Sequence, residues 1–383
     1  MRFFTRVTRT IGLLALAATA AAIAAGGGSA APDVVGHVYV DGNTAGSNTI
    51  AAFDRHADGT LTPMHGSPFA AGGAGTGSGI GSQGSLQITA DGKYLLAVDA
   101  GSNEISVLRI NSDGELNPVG GGPVSSGGIE PVSVAVHGGL VYVANAGNGG
   151  SNYTGFTLNP GGHLRPLADS TFSLPDNSTP GDVLFNGDGT KLVGVRVNTS
   201  VIDSFTVGAD GRLTAALNSP FDAQGMGPFG SEFRPTDASQ LFVSNAHGGT
   251  NNGTVSAFSD GSDGTLTSIG TSPFPDSQTA PCWVEIAKDG QTLFAVNTGS
   301  NNISSYSIAA DGSLSVIGST PLRSPAKGAE DARLAPDGQT LWVVDTGAGA
   351  ISAFGVSGGT LTELPSSPTT LPAGSAPFGI VVT

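Results

Sequence analysis

The sequence predicts an all-β protein: a seven-bladed β-propeller of four-stranded antiparallel blades, its ring closed by the C-terminal strand joining the first blade. Three observations carry this. First, one phrase recurs seven times. It reads apolar run, Asn/Gly loop, I-S-x-F/Y, turn, L-T, and its second turn falls at Asp58-Gly59, Asp113-Gly114, Gly161-Gly162, Asp210-Gly211, Asp263-Gly264, Asp311-Gly312 and Gly358-Gly359. The spacing is 47–55 residues, a period that marks an array of supersecondary units. Second, each copy holds four short β-prone runs and no sustained helical period. Third, the ends are complementary. The chain stops on residues 377–382, an innermost strand A lacking its B, C and D. The first copy, from Gly36, has B, C and D and lacks an A. Joining them leaves no free sheet edge at the ends of the array.

The sixth copy shows the elements in order. Strand A covers 283–287, followed by a turn at Asp289-Gly290. Strand B covers 293–297 and leads into a Gly/Ser/Asn loop. Strand C covers 303–308, a turn follows at Asp311-Gly312, and strand D covers 314–317. Asp-Gly between apolar runs signals a tight hairpin, because glycine accepts positive φ without a Cβ clash. β-Branched and aromatic residues fill the runs. The B strands align at 37–40, 94–99, 140–145, 191–197, 241–245, 293–297 and 341–345. The C strands align at 49–53, 105–110, 153–158, 201–207, 254–258, 303–308 and 351–356.

Residues 1–31 read as a secretory signal peptide: Arg2, Arg6 and Arg9, an apolar run over 11–25, then Gly28-Ser29-Ala30-Ala31 for cleavage. The run is short for a membrane span, so no stable insertion is expected after cleavage. The propeller domain is then 32–383, and the mature protein is expected to be secreted, extracellular and monomeric. With 15 basic and 30 acidic residues the net charge is −15, and about −18 once the leading arginines are removed. That balance disfavours nucleic acid and anionic membrane as partners. Cys282 is the single cysteine and has no internal disulfide partner. It reads as a small core residue, because a nucleophilic thiol wants a nearby histidine and this repeat has none.

Antiparallel blades place the A–B and C–D turns on one face and the B–C and D–A connections on the other. The first face carries the tight Asp-Gly turns. The second carries the long loops at 70–84, 174–180 and 246–253, where binding residues usually sit. Along strand A the third and fifth positions after the leading proline are mostly apolar, as in Val134/Val136 and Val284/Ile286, and pack between blades. The second and fourth positions hold Gln87, Asp182, Glu232, Trp283, Glu285, Asp331 and Arg333, with Glu130 and Glu330 beside them. In a chain with 12% charged residues, acids with one arginine around a channel mouth stand out. Carboxylates there suit a general base or a polyol or cation, and Arg333 suits an anionic group. The structural alternative is inter-blade ion pairing, such as Glu285 with Arg333. Among the scattered histidines no pair has metal-ligand spacing, and His247, in a long B–C loop, is the binding candidate. The Asp-Gly pairs lack the oxygen density of a calcium loop, and no helix follows the glycine run at 77–84, so neither metal nor cofactor is expected.

The repeat P-x-x-V-x-x-x-x-D-G-x-x-L-[FYW]-[AV]-V-[DN]-x-G-S-N-x-I-S-x-[FY]-x-I-x-x-D-G-x-L resembles the lactonase family of seven-bladed propellers over residues 36–383. That family includes propeller-type 6-phosphogluconolactonase and carboxymuconate-lactonizing enzymes. It overlaps the YVTN repeat class, echoed by VYVAN at 141–145 and LFAVN at 293–297. The resemblance implies that a lactone is opened or closed at the channel mouth. Glu232 or Glu285 would be the base and Arg333 would bind a carboxylate, with Asp182, Trp283, Glu330, Asp331 and His247 lining the substrate. Active members carry a G-P-R-H segment leading a strand A. Here it reads Gly227-Pro228-Phe229-Gly230, with Glu232 close by. Export argues against a phosphorylated sugar lactone, so an unphosphorylated one is expected. The competing expectation is a non-catalytic propeller that binds a glycan or protein through its long-loop face.

Overall fold

The computed structural model describes residues 33–383; the expected signal peptide lies outside the described residues. Seven antiparallel sheets form the blades of a propeller, and there is no helix among the described residues. The innermost strand of blade 1 is Phe378–Val382, followed outward by Val34–Asp41, Thr49–His56 and Leu61–Pro63. Val38 pairs with Val382 and Val40 with Ile380, so the chain's two ends close one sheet. Blades 2 to 7 begin on innermost strands Leu86–Ile88, Pro131–His137, Pro180–Phe185, Pro228–Arg234, Pro281–Ile286 and Ala329–Leu334.

The second and third strands of every blade fall within a few residues of the positions read from the sequence. They are apolar on both faces because each blade is packed between two others. The F/Y of the repeated phrase fills the space between sheets: Phe53, Phe156, Phe205, Phe258, Tyr306 and Phe354 are each no more than 2% exposed. Burying one such ring is worth about 1.5–3 kcal/mol. Phe205 also meets Phe172 edge-on, with ring centroids 4.9 Å apart.

The outer strands differ from expectation. In blade 6 the strand runs Leu314–Pro321, beyond the expected 314–317. In the other blades it breaks into a three- or four-residue piece and a two-residue piece, both paired to the third strand. Ser67, Ser170, Ser219, Ser272 and Ser367 sit at five of these breaks. Their hydroxyls accept the backbone N–H of Ala52, Gly155, Ser204, Ala257 and Ala353 at 2.8–3.0 Å. A side chain thus replaces a strand partner, and the exposed edge ladder is interrupted.

The entry to the innermost strand is bent in three blades. In blades 3, 4 and 6, Glu130, Thr179 and Ala280 adopt φ of 56°, 49° and 55° immediately before the leading proline. Their carbonyls accept the N–H of Ala146, Val197 and Thr298 at 2.9–3.0 Å. Left-handed backbone is unfavourable for Thr and Ala and is held here by these bonds. The pairing then skips a residue after Pro131, Pro180 and Pro281. This bulge turns the next side chains toward the channel.

Candidate functional site

Five of the expected residues meet around the channel. Asp182, on the innermost strand of blade 4, ties three blades together. Its Oδ1 accepts the Ser133 hydroxyl at 3.1 Å; its Oδ2 accepts the Ser231 N–H at 3.0 Å and hydroxyl at 2.7 Å. Glu232 reaches from blade 5 to accept the Ile286 N–H at 2.9 Å. Glu285 reaches from blade 6 to accept the Leu334 N–H at 2.7 Å on Oε1 and Nη1 of Arg333 at 3.1 Å on Oε2. Asp331 accepts the Ala332 N–H at 2.9 Å on Oδ1. The pattern repeats: a side chain from one blade satisfies a backbone N–H on the next. Asp331 Oδ2 and Arg333 Nε are buried and have no hydrogen-bond partner.

The electrostatics follow from four carboxyls sharing one guanidinium. Arg333 feels Glu285, Asp331, Glu232 and Asp182, which hold it charged. Burial pushes Asp182 up to about 7 despite its three donors. Glu232 lies well above the usual carboxylate range, through burial and then the charge of Glu285. Glu285 is raised by burial, with the Arg333 guanidinium opposing the shift. Burial likewise raises Asp331. Such shifts are what acid–base sites require, and ion-pair networks produce them as well. Among the described residues, no three acidic, histidine or cysteine side chains converge closely enough to hold a metal ion.

The remaining expected residues lie apart from this group. Glu330 accepts the Thr346 hydroxyl at 2.8 Å, and burial lifts it to about 8. His247 is exposed on the long-loop face, beside Gly227. Cys282 is buried, and its thiol is pushed up to about 12. Trp283 donates its indole N–H to the Ser82 carbonyl at 2.7 Å and stands edge-on to Phe229, 5.3 Å between centroids.

That contact exposes what the sequence reading missed. The connection at 70–84, expected to arch over the long-loop face, dips into the channel instead. Gln83 donates its N–H to the Gly181 carbonyl of blade 4 at 2.9 Å. Its side-chain amide donates to the Ser231 carbonyl of blade 5 and accepts the Val284 N–H of blade 6, both at 3.0 Å. The Gly84 carbonyl accepts the Val134 N–H of blade 3 at 2.9 Å, and the Gly84 N–H helps hold the Asp331 charge in blade 7. A segment bonded to the innermost strands of five other blades lies across the axis and plugs the long-loop end. Ser82 and Gln83 are only 1% and 5% exposed. The expected open mouth is therefore corrected: it is filled by residues 79–85. Space is made by small residues. A Cβ at Gly230 would overlap the Gln83 amide oxygen, and one at Gly379 would overlap the Ser85 hydroxyl. Exposure returns further along the innermost strands, where Gln87, Leu184, Glu232 and Arg333 are half-buried.

The family model for "Lactonase, 7-bladed beta-propeller" matches residues 45–185 and 231–381. The chain belongs to this lactonase family. The unmatched stretch, 186–230, contains Gly227-Pro228-Phe229-Gly230, where the lack of a side chain at Gly230 admits Gln83. Solved structures share the fold. A proposed 6-phosphogluconolactonase from Bacteroides uniformis superposes with a TM-score of 0.73 at 22% identity, over 91% of this chain and 99% of that one. Another from Bacteroides fragilis gives 0.72 at 22%, over 92% and 98%. The periplasmic gluconolactonase PpgL of Pseudomonas aeruginosa gives 0.71 at 16%, over 91% and 99%. No curated protein sequence matches the chain.

Proposed function

We propose that this lactonase-family chain is exported through its leading 31 residues and opens a neutral, unphosphorylated lactone at the channel cluster. The observation that carries this reading is the unequal pair Glu232 and Glu285. Glu232 lies well above the carboxylate range, through burial and the charge of Glu285. Glu285 is bound by Arg333 and Leu334, which oppose the effect of burial. Hydrolysis needs both a carboxylate and a carboxyl. A carboxylate takes a proton from water as the oxygen adds to the lactone carbonyl. A carboxyl gives a proton to the ring oxygen as the C–O bond breaks. Arg333 Nε, a donor with no partner, suits the oxyanion between these steps. Four carboxyls around one guanidinium disfavour a phosphorylated substrate.

The test is a panel of neutral lactones followed by pH-indicator absorbance, with Glu232→Gln and Arg333→Ala compared against the parent. The expected result is turnover in the parent and a loss of at least 100-fold in Glu232→Gln with its melting temperature retained. Lost stability with unchanged specific activity in both variants would return the cluster to inter-blade ion pairing. A second reading, a non-catalytic binder of glycan or protein, is favoured by Ile129 and Met226, apolar side chains 41% and 65% exposed on loops of the long-loop face.

A further inference from the structure

We propose that the channel is a one-ended pocket entered from the face of the short Asp-Gly turns, and that it admits neutral and cationic small molecules while excluding anions. The substrate class rests on the lactone reading above; the entrance does not. Three observations converge. The long-loop end is occupied by residues 79–85, whose Gln83 alone bonds to three blades. The plug is a fixed part of the fold, because the Gln83 amide spends both ends on backbone partners and Trp283 fixes Ser82. Below it, solvent reaches side chains again. Gln87 and Leu184 are half-buried there, with Glu232 and Arg333 at the same depth. The innermost strands run from the long-loop face toward the short turns, so this open stretch lies on the turn side.

The pocket is also built to receive a polar group. Asp331 is 1% exposed, yet its Oδ2 has no partner; Arg333 Nε is in the same position. A buried donor left without a partner costs free energy unless a ligand or ordered water completes it, and Asp331, two residues away on the same strand, keeps one oxygen open beyond the N–H groups that face it. A hydroxyl offers both functions at once, and a lactone oxygen accepts from Arg333 Nε. The charge around them is one-sided. Asp182, Glu232, Glu285 and Asp331 face Arg333 alone, and low-dielectric walls concentrate that field along the channel. An anion entering from the turn side meets a guanidinium that is already engaged by Glu285 and surrounded by carboxyls.

Thiol labelling tests the entrance without any turnover. Cys282 is buried and its thiol is held protonated, so the parent provides an unreactive background. Gln87→Cys reports the lower channel, and Leu184→Cys is a second reporter should the first fold poorly. Ser82→Cys reports the plug; its hydroxyl has no partner, so the exchange breaks no bond. The probes are the small methanethiosulfonates: neutral methyl, cationic aminoethyl and anionic sulfonatoethyl. The expected result is that Gln87→Cys reacts at least 10-fold faster than Ser82→Cys with the neutral reagent, and at least 10-fold faster with the cation than the anion. Ser82→Cys reacting first would overturn the entrance. Equal rates for cation and anion would overturn the selectivity. Labelling as expected in a protein that opens no lactone would leave the pocket standing and remove the hydrolytic reading. Turnover without lower-channel labelling would do the reverse.

Discussion

Asp182→Asn should make the protein less sensitive to rising pH. The buried carboxyl of Asp182 is raised from 3.8 to about 7. A raised carboxyl means that the folded state holds its proton more tightly than the unfolded chain. Its contribution is fully present below pH 3.8 and is lost as pH rises to about 7. Three pH units at about 1.4 kcal/mol each give a loss of roughly 4 kcal/mol across that window. Asparagine cannot ionise. Its carbonyl oxygen can still accept the two Ser231 donors, and its amide can donate to the Ser133 hydroxyl. A chain of this length unfolds with an entropy of roughly 0.7 kcal/mol/K, so 4 kcal/mol corresponds to about 5 °C. Other buried acids, Glu330 among them, titrate in the same direction, so the parent's own pH profile is not the test. The difference between variant and parent is. Melting curves at pH 4 and pH 8 should show the variant gaining about 5 °C on the parent between the two. A gap that stays constant would mean that Asp182 is ionised throughout and that its three donors outweigh burial.

Two further outcomes follow from the ring and its plug. Deleting residues 376–383 removes Phe378, Ile380 and Val381, each no more than 3% exposed. At about 1.5–3 kcal/mol apiece, that rivals the roughly 5–15 kcal/mol that holds a whole domain folded. Aggregation or a large fall in melting temperature is expected, and an unchanged melt would refute closure by the last strand. Gly230→Ala pushes a methyl group into the Gln83 amide and should cost about 1–3 kcal/mol. The same change in a Gln83→Ala background should cost less, and additive losses in a double-mutant cycle would show that the two do not meet.

The second and third strands were legible because Asp-Gly turns bracket them and because Phe, Tyr and branched residues recur at fixed offsets. The outer strands were not. Ser67-Pro68 and its equivalents look like loop punctuation, and that a serine hydroxyl stands in for a strand partner shows only once the third strand is in place. The acidic cluster was half legible. Asp182, Glu232, Glu285, Asp331 and Arg333 fall at two alternating positions of strand A, and position predicts convergence. Glu330 sits one step away in sequence, within the bulge that follows Ala329, and His247 sits one loop out. The plug left a fainter trace. Residues 77–84 read only as a glycine run with no helix after it, and Gln83 finds its partners 98, 148 and 201 residues further on, at Gly181, Ser231 and Val284. The signal that existed was complementary: Gly230 has no side chain where the Gln83 amide enters. A missing bulk at one site answers an inserted amide at another, which no single stretch of sequence displays.

Closure by Phe378–Val382 also orders events in time. A chain made from its N-terminus presents Val34–Asp41 first, with one edge of that strand bare. Six later blades can form against one another while this edge waits. Its partner, Phe378–Val382, appears only after all six of those blades, so the ring stays an open arc until that strand has emerged. The hub is thus the final part of the structure to be assembled, and a chain halted even a few residues early would display an unpaired apolar edge, the signal by which quality control recognises unfinished β-proteins.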